Sequence, residues 1–151
     1  MRVERWVLVA FVVTVLAGCP GGRTSGGAGA GAATADAGGL AWERSLSAAL
    51  ERAGREDKIV MMDFYTDWCR WCDKLDRTTL ADARVRQALA AVVPVKLNAE
   101  SEGRGEAERY RVDGYPTLVF VDAKGREVGR IPGYLPPAEF LQEVTDIVGR
   151  A

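Results

Sequence analysis

The 151-residue chain contains no histidine and only three cysteines. The absence of histidine excludes a histidine general base, a histidine metal ligand and a Cys-His catalytic pair. The formal net charge of −1 provides no positive field for nucleic acid, so no nucleic-acid partner is expected. A chain of this length has room for one domain and a tail, and a core of that size does not need disulfide staples.

Two of the cysteines, Cys69 and Cys72, are separated by two residues and follow an apolar run. Residues 59–62 predict a short buried strand and residues 74–75 begin a helical segment, so the pair lies at a strand-to-helix turn. Cys69, at the exposed helix start, faces free backbone N–H groups and the positive end of the helix dipole, which favour its thiolate. Cys69 is therefore the predicted nucleophile. Cys72, one helical turn further on, is placed to resolve a mixed disulfide, so the spacing predicts a redox dithiol and a Cys69–Cys72 disulfide.

The residues around this dithiol resemble the active-site region of the thioredoxin superfamily. An aspartate six residues before the first cysteine and a tryptophan immediately before it are typical of that family, as at Asp63 and Trp68. Three further stretches match in the family's order: residues 94–98 resemble its central strand, residues 114–118 its cis-proline loop, and Gly133 the glycine before its last helix. The four matches together are specific, because each lies in register with the others.

The resemblance to the superfamily covers residues 40–149. Within the superfamily, the sequence is most similar to the C-terminal thioredoxin-like domain of DsbD-type thiol:disulfide interchange proteins. The resemblance implies a thioredoxin-like α/β fold, with a central mixed β-sheet flanked by helices. It also implies protein disulfides as substrates, a membrane-embedded electron donor of the DsbD type, and no bound cofactor. The residues that carry this narrower similarity are Tyr65, Asp67, the stretch 78–80, Asp82 and Val85.

The resemblance also assigns catalytic roles beside the two cysteines. Asp63 lies inside an apolar strand, where burial should raise its pKa, and it is predicted to exchange a proton with Cys72. Lys96 matches the family's lysine near that aspartate and would moderate the rise; a purely structural Asp63–Lys96 pair is the alternative. Pro116 matches the cis-proline, which leaves the preceding backbone free to pair with an extended substrate, and an ordinary trans bond is the alternative.

Five residues next to the cysteines and the proline are predicted to contact substrate: Trp68, Arg70, Trp71, Tyr115 and Thr117. Trp68 would limit solvent access to the site, or it would be part of the core. Arg70 and Trp71 depart from the small or proline residues that are common between such cysteines. The Arg70 cation should stabilise the reduced form and make the disulfide more oxidising, whereas Asp67 opposes it.

The first 39 residues are predicted to lie outside the folded domain, which would occupy residues 40–151. Residues 1–18 combine a positive start with a short apolar run and small residues, as in a signal peptide. Residues 16–19 resemble a bacterial lipobox, so Cys19 is the predicted lipidation site; an uncleaved anchor or an ordinary signal peptide is the alternative. Residues 19–39 are rich in glycine and alanine and predict a flexible tether, which would anchor the domain to a membrane in the bacterial cell envelope, facing the periplasm or the cell exterior.

Apolar periodicity predicts alternating strands and helices across the domain. Trp42 is interpreted as the start of the apolar stripe of the first helix, which would end before Gly54. Parallel strands linked by helices, followed by a hairpin and a last helix, agree with the α/β fold that the resemblance implies. The predicted strands are 58–65, 92–97, 117–121 and 127–131, with a hairpin turn at 122–125. The predicted helices are 43–53, one from Cys69, 82–90, a short one around Ala107, and a last one that starts at residues 136–137.

Three functions from different classes fit the sequence. The first is a membrane-tethered thiol:disulfide oxidoreductase that reduces protein disulfides outside the cytoplasm, and DsbD-like character favours this reductive direction. The second is a binding or assembly module of the same fold, such as a metallochaperone, although two thiolates with no histidine or methionine nearby are too few for a closed zinc site, and no metal site is predicted. The third is a structural lipoprotein whose dithiol is idle.

Overall fold

The computed structural model describes residues 34–35 and 39–151. The predicted signal peptide, the lipidation site Cys19 and most of the predicted tether lie outside these residues. Two residues from the end of that tether form strand β1 (Thr34–Ala35), which pairs antiparallel with β2 (Ala41–Trp42). No helix in the described ranges has both the length and the apolar character needed to cross a lipid bilayer.

A mixed sheet of four strands forms the centre of the domain, as predicted. Its strands are β3 (Ile59–Tyr65), β4 (Val92–Asn98), β5 (Thr117–Val121) and β6 (Glu127–Pro132), in the order β4-β3-β5-β6. β3 and β4 are parallel, whereas β5 is antiparallel to both β3 and β6. The hairpin turn between β5 and β6 is confirmed: Gly125 adopts a φ of 75°, which favours glycine, and its N–H donates to the Asp122 carbonyl.

Five α-helices connect and cover the strands: α1 (Leu46–Glu56), α2 (Arg70–Lys74, continued by a π-helical turn at Leu75–Thr79), α3 (Ala83–Leu89), α4 (Arg104–Arg109) and α5 (Pro137–Val148). α1 starts later than predicted because Ser45 caps it, accepting a hydrogen bond from the Ala48 N–H at 3.3 Å. It also continues through Gly54, since an interior glycine costs a helix only about 1 kcal/mol. Asp57, in the left-handed conformation, ends the helix instead.

The two faces of the sheet carry separate hydrophobic clusters, because successive side chains of a strand point to opposite faces. Met62 packs in the cluster covered by α1 and α4, whereas Met61 packs in the cluster covered by the π-helical turn, α3 and α5. Asp63 follows the alternation of Met61, and Lys96 lies beside it in register on β4. Both polar side chains therefore belong to the second face, under the helix that begins with the cysteines.

Candidate active site

Cys69 and Cys72 form a disulfide at the start of α2, as the sequence predicts. β3 ends at Tyr65, and a turn follows in which the Cys69 N–H donates to the Thr66 carbonyl at 3.1 Å. Cys69 is the N-cap of the helix: its carbonyl accepts the N–H groups of Cys72 and Asp73 at 3.1 and 3.2 Å. The strand-to-helix turn thus places the first cysteine ahead of the helix and the second within its first turn.

Exposure does not distinguish the two cysteines, which corrects the expectation that Cys69 has an exposed position. Cys69 is 6% exposed and Cys72 is 5% exposed. The difference between them is electrostatic, because the Cys72 backbone N–H donates a hydrogen bond to the Cys69 Sγ at 3.1 Å. In the reduced protein this donor would stabilise negative charge on the Cys69 sulfur. The hydrogen bond, rather than exposure, favours Cys69 as the nucleophile.

Asp63 is a buried carboxylate, only 1% exposed. Its Oδ2 lies 3.5 Å from the Lys96 Nζ, and its Oδ1 has no hydrogen-bond partner among the residues that the structure describes. Burial raises the pKa of Asp63 to about 6, while the Lys96 cation acts in the opposite direction. Both the raised pKa and the moderating lysine were predicted from the sequence, and both are confirmed.

Asp76 is a member of the same ionic cluster that sequence reasoning missed. It lies on the π-helical turn that continues α2, and its Oδ2 accepts a hydrogen bond from the Lys96 Nζ at 2.5 Å. Burial alone would lower the pKa of Lys96, but the Asp63 and Asp76 carboxylates together raise it. The signal that could have revealed Asp76 is its spacing of four residues from Cys72, which brings side chains together along a helix.

Two aromatic rings complete the surroundings of Lys96. Its Nζ lies 5.5 Å from the ring centroid of Trp42 and 5.3 Å from that of Tyr65. The interpretation of Trp42 as the start of the α1 stripe is therefore wrong: it lies in β2, three residues before the N-cap, and packs in the opposite cluster. Cation–π contacts of this kind stabilise a partly desolvated ammonium group. The Asp76 carboxylate and the two rings thus hold the Lys96 ammonium group beside Asp63.

The predicted cis-proline is confirmed, since the Tyr115–Pro116 peptide bond is cis. The Pro116 carbonyl accepts a hydrogen bond from the Gly133 N–H at 2.8 Å, which ties this loop to the turn after β6. The Tyr115 ring meets the Trp68 ring edge-on, with 6.2 Å between centroids. Because Trp68 directly precedes Cys69, this contact brings the proline loop to the side of the dithiol.

The predicted substrate-contact residues have different environments. Trp68 and Trp71 are 66% and 55% exposed, and Arg70 between them is also exposed. The alternative that Trp68 belongs to the core is therefore wrong. Thr117, in contrast, is buried, and its hydroxyl donates to the Gly114 carbonyl at 2.8 Å. The Thr117 side chain thus stabilises the proline loop from within.

Each exposed tryptophan is held by a partner that the sequence did not reveal. The Trp68 Nε1–H donates to both carboxylate oxygens of Glu100, each at 3.1 Å. The Trp71 ring lies 5.5 Å from the Tyr134 ring, with the Lys74 Nζ 4.8 and 4.4 Å from the two centroids. Glu100 and Tyr134 are distant from the cysteines in sequence and carry no local motif, so no signal in the sequence could have found them.

Comparisons with known proteins agree with this geometry. The chain matches the family model of the thioredoxin-like domain over residues 46–147. It is 34% identical over 125 residues to the thiol:disulfide interchange protein DsbD of Ralstonia nicotianae, a match that covers 77% of this chain and 21% of that protein. The corresponding protein of Salmonella paratyphi A is 35% identical over 106 residues, which cover 67% of this chain and 18% of that protein. The chain therefore spans about a fifth of the length of these curated relatives.

Two solved structures share the fold of this chain. A thioredoxin from Thermus thermophilus superposes with a TM-score of 0.65 at 35% identity, covering 72% of this chain and 86% of that one. The oxidised C-terminal domain of Neisseria meningitidis DsbD superposes with a TM-score of 0.57 at 27% identity, covering 67% and 91%. The predicted similarity to this DsbD domain is confirmed. By its fold, its Cys69–Cys72 pair and the family-model match, the chain belongs to the thioredoxin-like domain family, as a thioredoxin-fold oxidoreductase related to DsbD.

Proposed function

We propose that this protein is a membrane-tethered thiol:disulfide oxidoreductase that reduces protein disulfides outside the cytoplasm. The observation that carries the proposal is the Cys69–Cys72 disulfide at the start of α2, where a backbone N–H points at the Cys69 sulfur. The exposed rings of Trp68 and Trp71 on either side give a protein substrate an apolar surface to contact. The 34% identity to DsbD supports the reductive direction.

The reaction needs only thiol–disulfide exchange. In the reduced protein the Cys69 thiolate attacks one sulfur of the substrate disulfide; a Cys69–substrate bond forms and the other substrate sulfur leaves as a thiolate. Cys72 then loses its proton and attacks the Cys69 Sγ. The Cys69–Cys72 bond forms, the Cys69–substrate bond breaks, and the second substrate sulfur leaves as a thiolate. Two electrons have then passed from the dithiol to the substrate.

Asp63 is the proposed acceptor of the Cys72 proton. Its pKa of about 6 lies closer to that of a thiol than the pKa of an ordinary aspartate does, yet it leaves Asp63 mostly ionised at pH 7. Its Oδ1, without a hydrogen-bond partner in the described ranges, is open to a proton. When Asp63 is protonated, the Lys96 ammonium group still has the Asp76 carboxylate as its ionic partner. This arrangement supports a catalytic role over a purely structural pair.

The oxidised protein must regain two electrons from a dithiol donor. We assign this role to a membrane-embedded donor of the DsbD type, because the thioredoxin-reductase system and its nicotinamide cofactor are cytoplasmic. Dithiol exchange at Cys69 would transfer the electrons without any cofactor bound to this chain. The curated relatives of this chain are named thiol:disulfide interchange protein DsbD, and this similarity supports a donor of that type.

A redox titration tests the direction of electron flow. We expect the Cys69–Cys72 couple to have a midpoint near that of thioredoxin, about −270 mV, rather than near the −120 mV of a strong oxidant such as DsbA. Tryptophan fluorescence provides the signal, because Trp68 and Trp71 flank the disulfide. The Cys72→Ser variant, which cannot form the pair, serves as the control and should show no transition. A midpoint near −120 mV would contradict the reductive proposal.

The membrane tether has its own test. Because residues 16–19 resemble a lipobox, we expect Cys19 to be acylated and to become the first residue of the mature protein. Intact-mass analysis of protein extracted from membranes should show the added lipid. The matched Cys19→Ser variant should lack that mass and should lose its lipid-dependent retention in the membrane fraction. An unmodified Cys19 in the membrane-extracted protein would contradict the anchor.

A further inference from the structure

A cationic and aromatic surface lies next to Cys72. Its members are Trp71, Lys74 and Tyr134, here called the Trp71 shelf. The Lys74 Nζ lies over both rings, 4.8 Å from the Trp71 centroid and 4.4 Å from the Tyr134 centroid. Thr78 holds the far ring in place, since its Oγ1 lies 3.3 Å from the Tyr134 hydroxyl. The shelf is therefore an ordered feature built from α2 and the turn after β6.

The Lys74 ammonium group is fixed in position but has no anionic partner. It forms no ion pair or hydrogen bond with any residue in the described ranges. Ring faces attract the charge without using its three N–H donors. Arg70, exposed and also without an ion pair in those ranges, lies one helical turn earlier on the same side of α2. Arg77 differs from both, because its guanidinium lies 3.8 Å from the Asp73 carboxylate.

Two carboxylates, Glu100 and Asp67, lie on the Trp68 side of the dithiol. Glu100 accepts the Trp68 Nε1–H, and Asp67 accepts a hydrogen bond from the Asn98 side chain at 3.0 Å. On the Trp71 side, the one nearby carboxylate of α2, Asp73, already pairs with Arg77, so the Lys74 and Arg70 cations there stay unpaired within the described ranges. A partner that carries a negative charge is favoured at one end only, which sets the direction in which its chain crosses the cysteines.

We infer that the Trp71 shelf binds an acidic side chain adjacent to the reactive cysteine of the partner protein. This inference rests on the proposed function and narrows its substrate class to protein disulfides with a neighbouring aspartate or glutamate. The carboxylate accepts hydrogen bonds from the Lys74 ammonium, and Arg70 adds a second positive charge. A neighbouring apolar side chain of the partner covers the exposed Trp71 ring. Because the two rings already hold the Lys74 side chain, that side chain loses little conformational freedom when it pairs with the partner's carboxylate.

Three peptide disulfides test the inference, each a homodimer of one short peptide whose cysteine is followed by glutamate, glutamine or lysine. The measurement is the rate at which the reduced wild-type protein converts each to thiols while forming its own disulfide. We expect the glutamate peptide to react about fivefold faster than the lysine peptide at low ionic strength, and the preference to shrink at high ionic strength, as for an exposed ion pair.

Two variants assign the preference to Lys74. Lys74→Gln should remove most of the preference and Lys74→Glu should reverse it. Lys74 is exposed, so both variants are expected to fold. Arg77→Gln, which removes a cation of the same helix outside the shelf, should leave both the preference and the rates unchanged. Equal rates for the three peptides in the wild-type protein would overturn the inference while leaving the proposed function intact. Failure of all three to react would overturn both.

Discussion

Replacement of Cys69 by serine should abolish disulfide reduction, with insulin turnover in the presence of dithiothreitol falling by on the order of a thousandfold or more. The reason is that the first step needs a thiolate at this position, and a serine hydroxyl is not ionised at neutral pH. The Cys72 N–H that stabilises the Cys69 sulfur cannot compensate for the missing nucleophile. Insulin precipitation, followed by turbidity, measures the rate.

The matched control is Cys72→Ser, which changes the same atom at the other end of the disulfide. This variant should still attack through Cys69 but should remain trapped as a mixed disulfide, because the resolving thiol is missing. A Cys69→Ser variant trapped as a mixed disulfide, beside an inactive and untrapped Cys72→Ser variant, would reverse the two assigned roles. If the wild-type protein itself gave no turnover, the binding or assembly function and the structural function would remain.

Replacement of Asp63 by asparagine should slow resolution on the order of a hundredfold at pH 7, the range of general base catalysis. The first attack by Cys69 should proceed at nearly the parent rate, because Asp63 is not needed to form the Cys69 thiolate. Mixed disulfides with substrate should therefore accumulate. Non-reducing gels of acid-quenched reactions would reveal these mixed disulfides. Unchanged turnover without their accumulation would show that Asp63 has only a structural role.

The pH profile should differ between the parent and Asp63→Asn. In the parent, resolution should weaken below about pH 6, where Asp63 becomes protonated and can no longer accept a proton. In the variant, resolution should instead quicken as pH rises and the Cys72 thiol ionises without help. Asp73→Asn is the matched control: it removes an exposed carboxylate of α2 that pairs with Arg77 outside the cluster, so its profile should follow the parent.

Asp63→Asn should raise the free energy of unfolding at neutral pH, although it slows the reaction. The pKa of Asp63 is raised from its ordinary value of 3.8 to about 6, so its neutral form favours folding below pH 3.8, and this contribution is lost as pH rises through 6. Above pH 7 the loss is on the order of 3 kcal/mol. Asp63→Asn should therefore be more stable than the parent at pH 7.5 and similar at pH 4, as measured by urea unfolding of the oxidised protein. Lys96 keeps Asp76 as a partner in the variant, so no ammonium group is left unpaired.

The sequence by itself determined the local features of this protein. All four strands of the central sheet start and end within one residue of their predicted limits, because an apolar run bounded by polar residues is a local signal. The Cys69–Cys72 spacing predicted the disulfide, and an aspartate in an apolar strand predicted the raised pKa of Asp63. The cis bond before Pro116 came from family resemblance, since no local pattern distinguishes it from a trans bond.

The tertiary structure alone decided how the site is completed. Lys96 meets Asp76 and Trp42 only because α2 and β2 pack on the same face of the sheet, and their separate sequence patterns contain no information about that packing. The partners of the two exposed tryptophans likewise come from loops that the fold brings to the cysteines. The equal burial of the two cysteines has the same origin, because exposure depends on all the neighbouring elements. Local periodicity predicts which residues face the core, whereas distant contacts depend on how complete elements pack against one another.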